Sequence, residues 1–500
     1  AWLAVGRETT TVGVVLQAVT LPPLLRIDAA GFAAGVVLLA AAGVLVTVRR
    51  PGTAVSALGA LATACAVLAL EAGSVALLAV AVGAACLLLV AAHREEGGRL
   101  DGGLWAALVL ATLALLVAAA DVLANAGTTA YAAVPVTAFS TRAFLLVVFA
   151  ALCLTGLLPW PTWVSASLRR SRAEATGVTL VLLTPLGLFL LLETTQLGAG
   201  TWPLWWLHGV VAGWSAVTLV AAGLRAQAAT GRRQVLRELA LMQVAMAAIA
   251  LCLGTRFGIV AGVTGLAAAT LSQLTSLLLP TDGRLGLLGF ALTVGVPPGW
   301  AFGALALTAE ASLEIGAVAQ LLVLVLGVAW VFGIAAAVRA ARLPVGTDRS
   351  RWGGMLVSVL GLAGGALLGP FEIAIALPVA ALVVPATNLP PPITVINGAL
   401  LATTGGWGAL ALGALAIASV AVLPLVTKTF HPAAPREPVP ALVAAPAPTP
   451  LDGLHRVARR LRLRAPGWDR ALQRMQIASE RGPIWLWAAI AFVLAIVVTR

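Results

Sequence analysis

The sequence predicts an all-α polytopic membrane protein of about fourteen transmembrane helices, and three observations carry that expectation. Hydrophobic residues make up 61% of the 500 and charged residues only 10%, a balance that soluble domains do not show. The apolar residues come in runs of about twenty, the length that crosses a bilayer as a helix. Alternating segments are few and there is one tyrosine, so the spans read as helices rather than barrel strands, each satisfying its own backbone in lipid.

In chain order the apolar runs lie at 31–48, 53–70, 74–92, 103–122, 143–158, 176–192, 203–224, 235–254, 257–279, 285–307, 316–338, 352–369, 395–425 and 483–499. A further stretch, PFEIAIALPVAALVVP (370–385), follows its predecessor with only Pro370 between them. It is too short to cross comfortably and reads as re-entrant or interfacial. Arginines set the orientation. Arg49 and Arg50 follow the first run, Arg94 and Arg99 the third, Arg169, Arg170 and Arg172 the fifth, and Arg225, Arg232 and Arg233 the seventh. Arg284 follows the ninth and Arg339, Arg342, Arg349 and Arg351 the eleventh, whereas loops after even-numbered runs carry almost none, Arg142 and Arg256 excepted. Odd-numbered loops are therefore cytoplasmic by the positive-inside rule. These short loops also account for the net charge of +12, which argues against a nucleic-acid partner.

Residues 1–30 form an N-terminal segment with neither an initial methionine nor a signal-peptide pattern, so a missing N-terminal piece is expected. The transmembrane domain is expected over 31–425, followed by a Pro/Ala-rich linker at 426–450. In 451–482, Leu454, Val457, Leu461, Trp468, Leu472 and Met475 recur at helical steps among arginines, which predicts a basic amphipathic helix on the membrane surface, interrupted at Pro466. Residues 483–500 supply a C-terminal anchor. Cys65, Cys86, Cys153 and Cys252 fall inside apolar runs without a CxxC pair or histidines at ligand spacing; they read as small core residues, with no metal and no cofactor bound by this chain.

LLPWPTWVSASLRRSRAEATGVTLVLLTPLGLFLLLE (157–193) resembles the signature of the antiporter-like membrane subunits of respiratory complex I, Mrp cation/proton antiporters and energy-converting membrane hydrogenases of the hydrogenase-4 type. Pro159 and Trp163 keep step with that family's Pro-Phe-His-x-Trp-Leu-Pro-x-Ala segment, while Pro161, Ser165 and Ser167 depart from it. In GFALTVGVPPGWAFGALALTAE (289–310), Gly295, Pro297, Pro298 and Phe302 are similar to the family's second broken helix. RRQVLRELALMQVAMAAIALCLG (232–254) looks like a third family helix, with Arg233 near its lysine, and the C-terminal RMQIASERGPIWLWAAIAFVLAIVV resembles the hydrogenase-4 surface helix and closing span.

The resemblance implies a divergent member built as two inverted five-helix repeats, with interrupted helices at Pro185 and at Pro297 and Pro298. It also implies vacated relay positions: Pro185 stands where the family has a lysine, Thr270 near its histidine and Leu305 at an acidic or basic position. Lys428, the single lysine, lies outside the spans. Ion-path candidates are then Glu193, Arg233, Arg237, Glu238, Gln243 and Gln320, since intramembrane ionisable groups mark such paths. The arginines are poor relays, because a guanidinium does not release its proton. Glu193, Glu310 and Glu314 sit at span ends where interfacial solvation also explains them, and Glu71 stands near a helix start. Glu238 either acts in a path or neutralises a neighbouring helix, His208 beside Trp202, Trp205 and Trp206 fits an interfacial belt, and Gln243 and Gln320 suit either a helix bridge or a held water.

The resulting expectation is a non-catalytic membrane subunit of a proton-translocating NADH:quinone oxidoreductase-like or hydrogenase-like complex. Its own proton path is impaired, and it acts as scaffold and anchor. The alternative is an active cation/proton transporter subunit of an Mrp-like or inorganic-carbon uptake assembly. Either way the partners are other membrane subunits, peripheral redox subunits indirectly, and the lipid of a prokaryotic inner or plasma membrane.

Overall fold

The structure, a computed structural model, describes residues 10–12, 15–16, 19–20, 25–49, 53–96, 102–134, 139–157, 163, 174–198, 202–229, 231–278, 283–296, 299–315, 317–340, 351–384, 394–396 and 399–401. Short strands come first: β1 (Thr10–Val12) pairs antiparallel with β4 (Leu25–Ile27), and β2 (Val15–Leu16) with β3 (Val19–Thr20). Helices α1 (Ala29–Arg49), α2 (Thr53–Leu70), α3 (Val75–Glu95), α4 (Gly102–Ala126), α5 (Thr141–Thr155), α6 (Glu174–Leu197) and α7 (Trp205–Ala228) make up the first part of the bundle. The second part comprises α8 (Arg232–Cys252), α9 (Arg256–Leu278), α10 (Gly283–Val294), α11 (Trp300–Ile315), α12 (Ala317–Ala340), α13 (Arg351–Phe371), a π-helical turn (Glu372–Ala376) and α14 (Leu377–Val383).

Burial sorts these helices into a centre and a periphery. Helix α6 is buried along its whole length, and α8 and α9 nearly so. Their polar faces are as hidden as their apolar ones. By contrast α1, α3, α4, α7 and α12 each hide only about half of their surface, and Leu87, Leu324 and Val217 stand exposed on them as lipid-facing side chains. Glycines allow the central contact: a Cβ on Gly262 would lie 2.3 Å from Leu251 Cδ2, and one on Gly265 2.9 Å from Ala247 Cβ. Gly258 and Gly262 are four apart on α9, the small-residue spacing that lets membrane helices approach closely.

Two sequence expectations need correction. Among the described residues eight helices are long and apolar enough to cross a membrane, or nine if one bent pair counts as a single span, not about fourteen. An apolar run is not a helix of the same length. The run at 143–158 yields only the 15 residues of α5, which Gly156 ends in the left-handed conformation at φ 69°. The run at 285–307 divides into α10 and α11, with Gly295 at φ +90° between them. Thr394–Ile396 and Ala399–Leu401 pair as an antiparallel hairpin, β5 and β6, instead of opening a helix. The two residues between them in the sequence are Asn397 and Gly398, the dipeptide most favoured in such a connection.

The second correction concerns Pro185, which sits inside α6 without interrupting it. A proline removes one ladder hydrogen bond, and a membrane helix enclosed by protein on all sides tolerates that loss. Pro297 and Pro298 lie outside the described residues, yet the helix on either side stops at Val294 and resumes at Trp300. A further bend of 73° falls between Gly353–Ala363 and Leu367–Val383, inside α13, so residues 370–383 lie beyond it. The linker, the surface helix and the C-terminal anchor also lie outside the described residues.

Candidate functional site

Polar side chains inside the bundle gather at three levels. At one end of the bundle, Arg225 near the end of α7 places Nε 3.0 Å from Glu238 Oε2 on α8. Glu238 is buried, and this ion pair joins α8 to α7. Arg233 and Arg237 stand half-buried on the same helix. His93, at the end of α3, lies 3.0 Å through Nε2 from Thr179 Oγ1 on α6, and Glu96 Oε2 accepts from the Ala175 N–H at the start of α6 at 3.1 Å. These bonds hold the end of α3 against the start of α6.

Midway through the bundle the groups are neutral. Gln273 on α9 donates through Nε2 to Thr184 Oγ1 on α6 at 2.7 Å, beside Pro185, and Gln243 on α8 donates to the Thr293 carbonyl on α10 at 2.8 Å. Thr270 is buried and gives its hydroxyl to the Leu266 carbonyl one turn back at 2.8 Å. Leu305 is buried on α11. The three positions that the resemblance marks as relay sites thus present a ring, a self-satisfied hydroxyl and an alkyl chain. Trp163, the best-kept residue of the first signature segment, is fully buried and donates its indole N–H to the Cys153 carbonyl at 3.0 Å.

The most charged level lies at the opposite face, and of its members sequence reasoning named Glu193 and Glu71. Glu193, near the end of α6, is 1% exposed and receives the Arg26 guanidinium on both carboxylate oxygens at 2.7 Å. Arg26 Nε also lies 3.0 Å from Asp28 Oδ2. Asp28 caps α1, its Oδ1 accepting the Gly31 N–H at 2.8 Å, while Oδ2 accepts from Gln196 Nε2 at 3.0 Å. The Arg26 guanidinium carbon stands 4.6 Å over the Tyr131 ring, and the Arg26 N–H donates to the Glu71 carbonyl at 2.8 Å. Three segments distant in sequence are thereby tied to one arginine. Burial disfavours the Arg26 cation, but Glu193, Asp28 and Tyr131 outweigh it and hold the guanidinium more firmly protonated than usual. Burial, then Asp28, pushes the Glu71 carboxyl up to about 7 against the opposing pull of Arg26.

Glu193 and Glu238 therefore sit at opposite ends of the bundle and do not form one path, and Gln243 reaches neither. The Gln320 and Glu314 side chains lie outside the described residues. Sequence reasoning missed Arg26, Asp28 and Tyr131, although an aspartate directly before an apolar run is an N-cap signal. It also missed Glu372 in the π-helical turn, 4% exposed with no hydrogen-bond partner for Oε1. Such turns recur at functional sites. Among the described residues no group of three or more His, Cys, Asp or Glu is placed to hold a metal.

No family model matches the sequence, and no curated protein is detectably similar to it. Solved structures are. A chain of the Mrp complex from Dietzia sp. superposes with a TM-score of 0.67 at 18% identity, over 100% of this chain and 58% of that one. A chain of respiratory complex I from Thermus thermophilus gives 0.63 at 16% identity, over 76% of this chain and 91% of that one. A chain of the membrane-bound sulfane sulfur reductase, an archaeal respiratory membrane complex, gives 0.59 at 14% identity, over 99% and 92%. The chain spans little more than half of the Mrp chain's length. It is a multi-pass membrane protein that shares its fold with chains of these three membrane complexes.

Proposed function

We propose that this chain is a membrane subunit of a complex I-like or hydrogenase-like ion-translocating redox complex in a prokaryotic cell membrane, serving as scaffold and anchor with an impaired proton path of its own. The fold supports the subunit role, since likeness of this kind extends to three multisubunit membrane complexes. The single observation that carries the impaired path is the neutral mid-level: Pro185, Thr270 and Leu305 offer no titratable group, and Gln273 and Gln243 bridge helices there as amides. A proton file needs groups that bind and release protons.

One observation favours the second reading, an active cation/proton transporter subunit of an Mrp-like assembly. Glu372 is a buried carboxylate with an unpartnered oxygen in a π-helical turn. The test purifies the tagged chain with its native partners, identifies them, and measures proton translocation by the complex in liposomes. Co-purifying redox subunits, with translocation unchanged by Glu372→Gln and Glu310→Gln, support the first reading. Isolation as a single chain that exchanges cations by itself, or loss of translocation in either variant, overturns it.

A further inference from the structure

At the non-cytoplasmic end of the bundle three buried oxygens lack a hydrogen-bond partner: Glu71 Oε2, the Tyr131 hydroxyl and Gln196 Oε1. All three belong to residues that surround Arg26 and Asp28. Gln196 binds Asp28 through its other amide atom, and the Tyr131 ring lies under the Arg26 guanidinium. Glu71 is joined to Arg26 through the backbone, and its carboxyl feels both Asp28 and Arg26. Gly31 makes room for that carboxyl, since a Cβ there would stand 3.2 Å from Glu71 Cδ and Oε1.

The charges around this pocket do not balance. From the segment before α1 come Arg26 and Asp28, from α6 comes Glu193, and from the α4–α5 connection comes the neutral Tyr131. One cation therefore faces two anions before Glu71 is counted, and an ionised Glu71 would leave a second negative charge uncompensated. A half-buried carboxylate with one enclosed, open oxygen and surplus negative charge beside it calls for a positive ligand. A metal cation meets repulsion from the guanidinium of Arg26 in the same cluster. A proton does not, because it neutralises Glu71 outright and converts its open oxygen into a donor.

We propose that Glu71 is a proton-binding site on the non-cytoplasmic face, with Arg26 and Asp28 setting its occupancy. A hydronium ion from the aqueous phase gives its proton to the Glu71 carboxylate and leaves as water, and the new O–H donates to an acceptor oxygen of the same cluster. Proton release reverses the step. Because the site joins the α2–α3 connection to the starts and ends of α1 and α6, binding tightens that seam. The proposal rests on this chain alone and stands or falls apart from the subunit reading.

The test uses the full chain in lipid nanodiscs and infrared difference spectra recorded from acidic to alkaline pH. The wild type is expected to show a buried protonated carboxyl whose signal titrates with a midpoint near neutrality, and Glu71→Gln is expected to remove it. Asp28→Asn keeps a good N-cap while deleting a negative neighbour, so the midpoint should move to lower pH. That second variant carries the test if Glu71→Gln does not fold. Persistence of the signal in Glu71→Gln, or an unmoved midpoint in Asp28→Asn, overturns the assignment.

Discussion

Replacing Arg26 by alanine should be the most damaging single change in the described part of the molecule. Glu193 and Asp28, 1% and 2% exposed, would each lose their cationic partner while remaining buried. Removing one member of a buried ion pair costs about 3–5 kcal/mol, because the remaining charge has neither water nor counter-charge. An unfolding entropy of about 2.1 cal/mol/K per residue gives roughly 1 kcal/mol/K for 500 residues. The expected fall in Tm is therefore about 3–5 °C, read by thermal unfolding in mild detergent. Arg26→Lys keeps the charge but has one nitrogen where Arg26 uses Nη2 on Glu193 and Nε toward Asp28, and should fall between. The double variant Arg26→Leu/Glu193→Leu should recover part of the loss, since no unpaired Glu193 charge is left. An Arg26→Ala protein within about 1 °C of wild type would falsify the view that this cluster holds the outer seam together.

Three further outcomes can be checked in the same assay. Gly187→Ala should destabilise by about 1–3 kcal/mol, because the new Cβ would lie 2.7 Å from the Thr155 amide nitrogen and 2.9 Å from the Ala151 carbonyl, backbone atoms that cannot yield; a neutral substitution would mean that α6 stands further from α5. Trp163→Phe keeps the buried ring but loses the bond to Cys153, with an expected cost of about 0.5–1.5 kcal/mol and no change in oligomeric state. The Glu71 carboxyl is raised from 4.5 to about 7, so its contribution is fully present below 4.5 and is lost as pH rises through about 7. Because the group is partly exposed, the loss is expected to be no more than about 2 kcal/mol after solvent screening. Glu71→Gln should flatten this part of the stability profile, and an unchanged slope would remove Glu71 from the account.

Spans were legible wherever hydropathy alone decides. The runs expected at 31–48, 257–279 and 316–338 correspond to α1, α9 and α12 within a few residues. What hydropathy does not encode is where the backbone turns inside an apolar run. Gly295 and Gly156 adopt positive φ there, and Asn397–Gly398 stands between two strands. Pro185 misled in the opposite direction, because a proline reads as a break unless one knows that protein encloses the helix. Glu193 was legible as a candidate but not as a buried one. Its burial depends on Arg26, 167 residues away in the chain, and pairing at that separation leaves no local pattern. Glu238 was legible as either a path residue or a neutralising charge, and the structure sets its carboxylate 3.0 Å from Arg225, which is close in sequence.

The mid-level bridges have a consequence for how the bundle responds to an energised membrane. Moving one elementary charge through 100 mV is worth about 2.3 kcal/mol, so a charged crossbar between helices would feel the transmembrane voltage at every displacement. The Gln273–Thr184 and Gln243–Thr293 bonds are dipoles without net charge. A rearrangement of α6, α8, α9 and α10 about these bonds carries no gating charge from them, so any voltage dependence of that motion would come from the charged residues at the helix ends, such as Glu193 and Glu238.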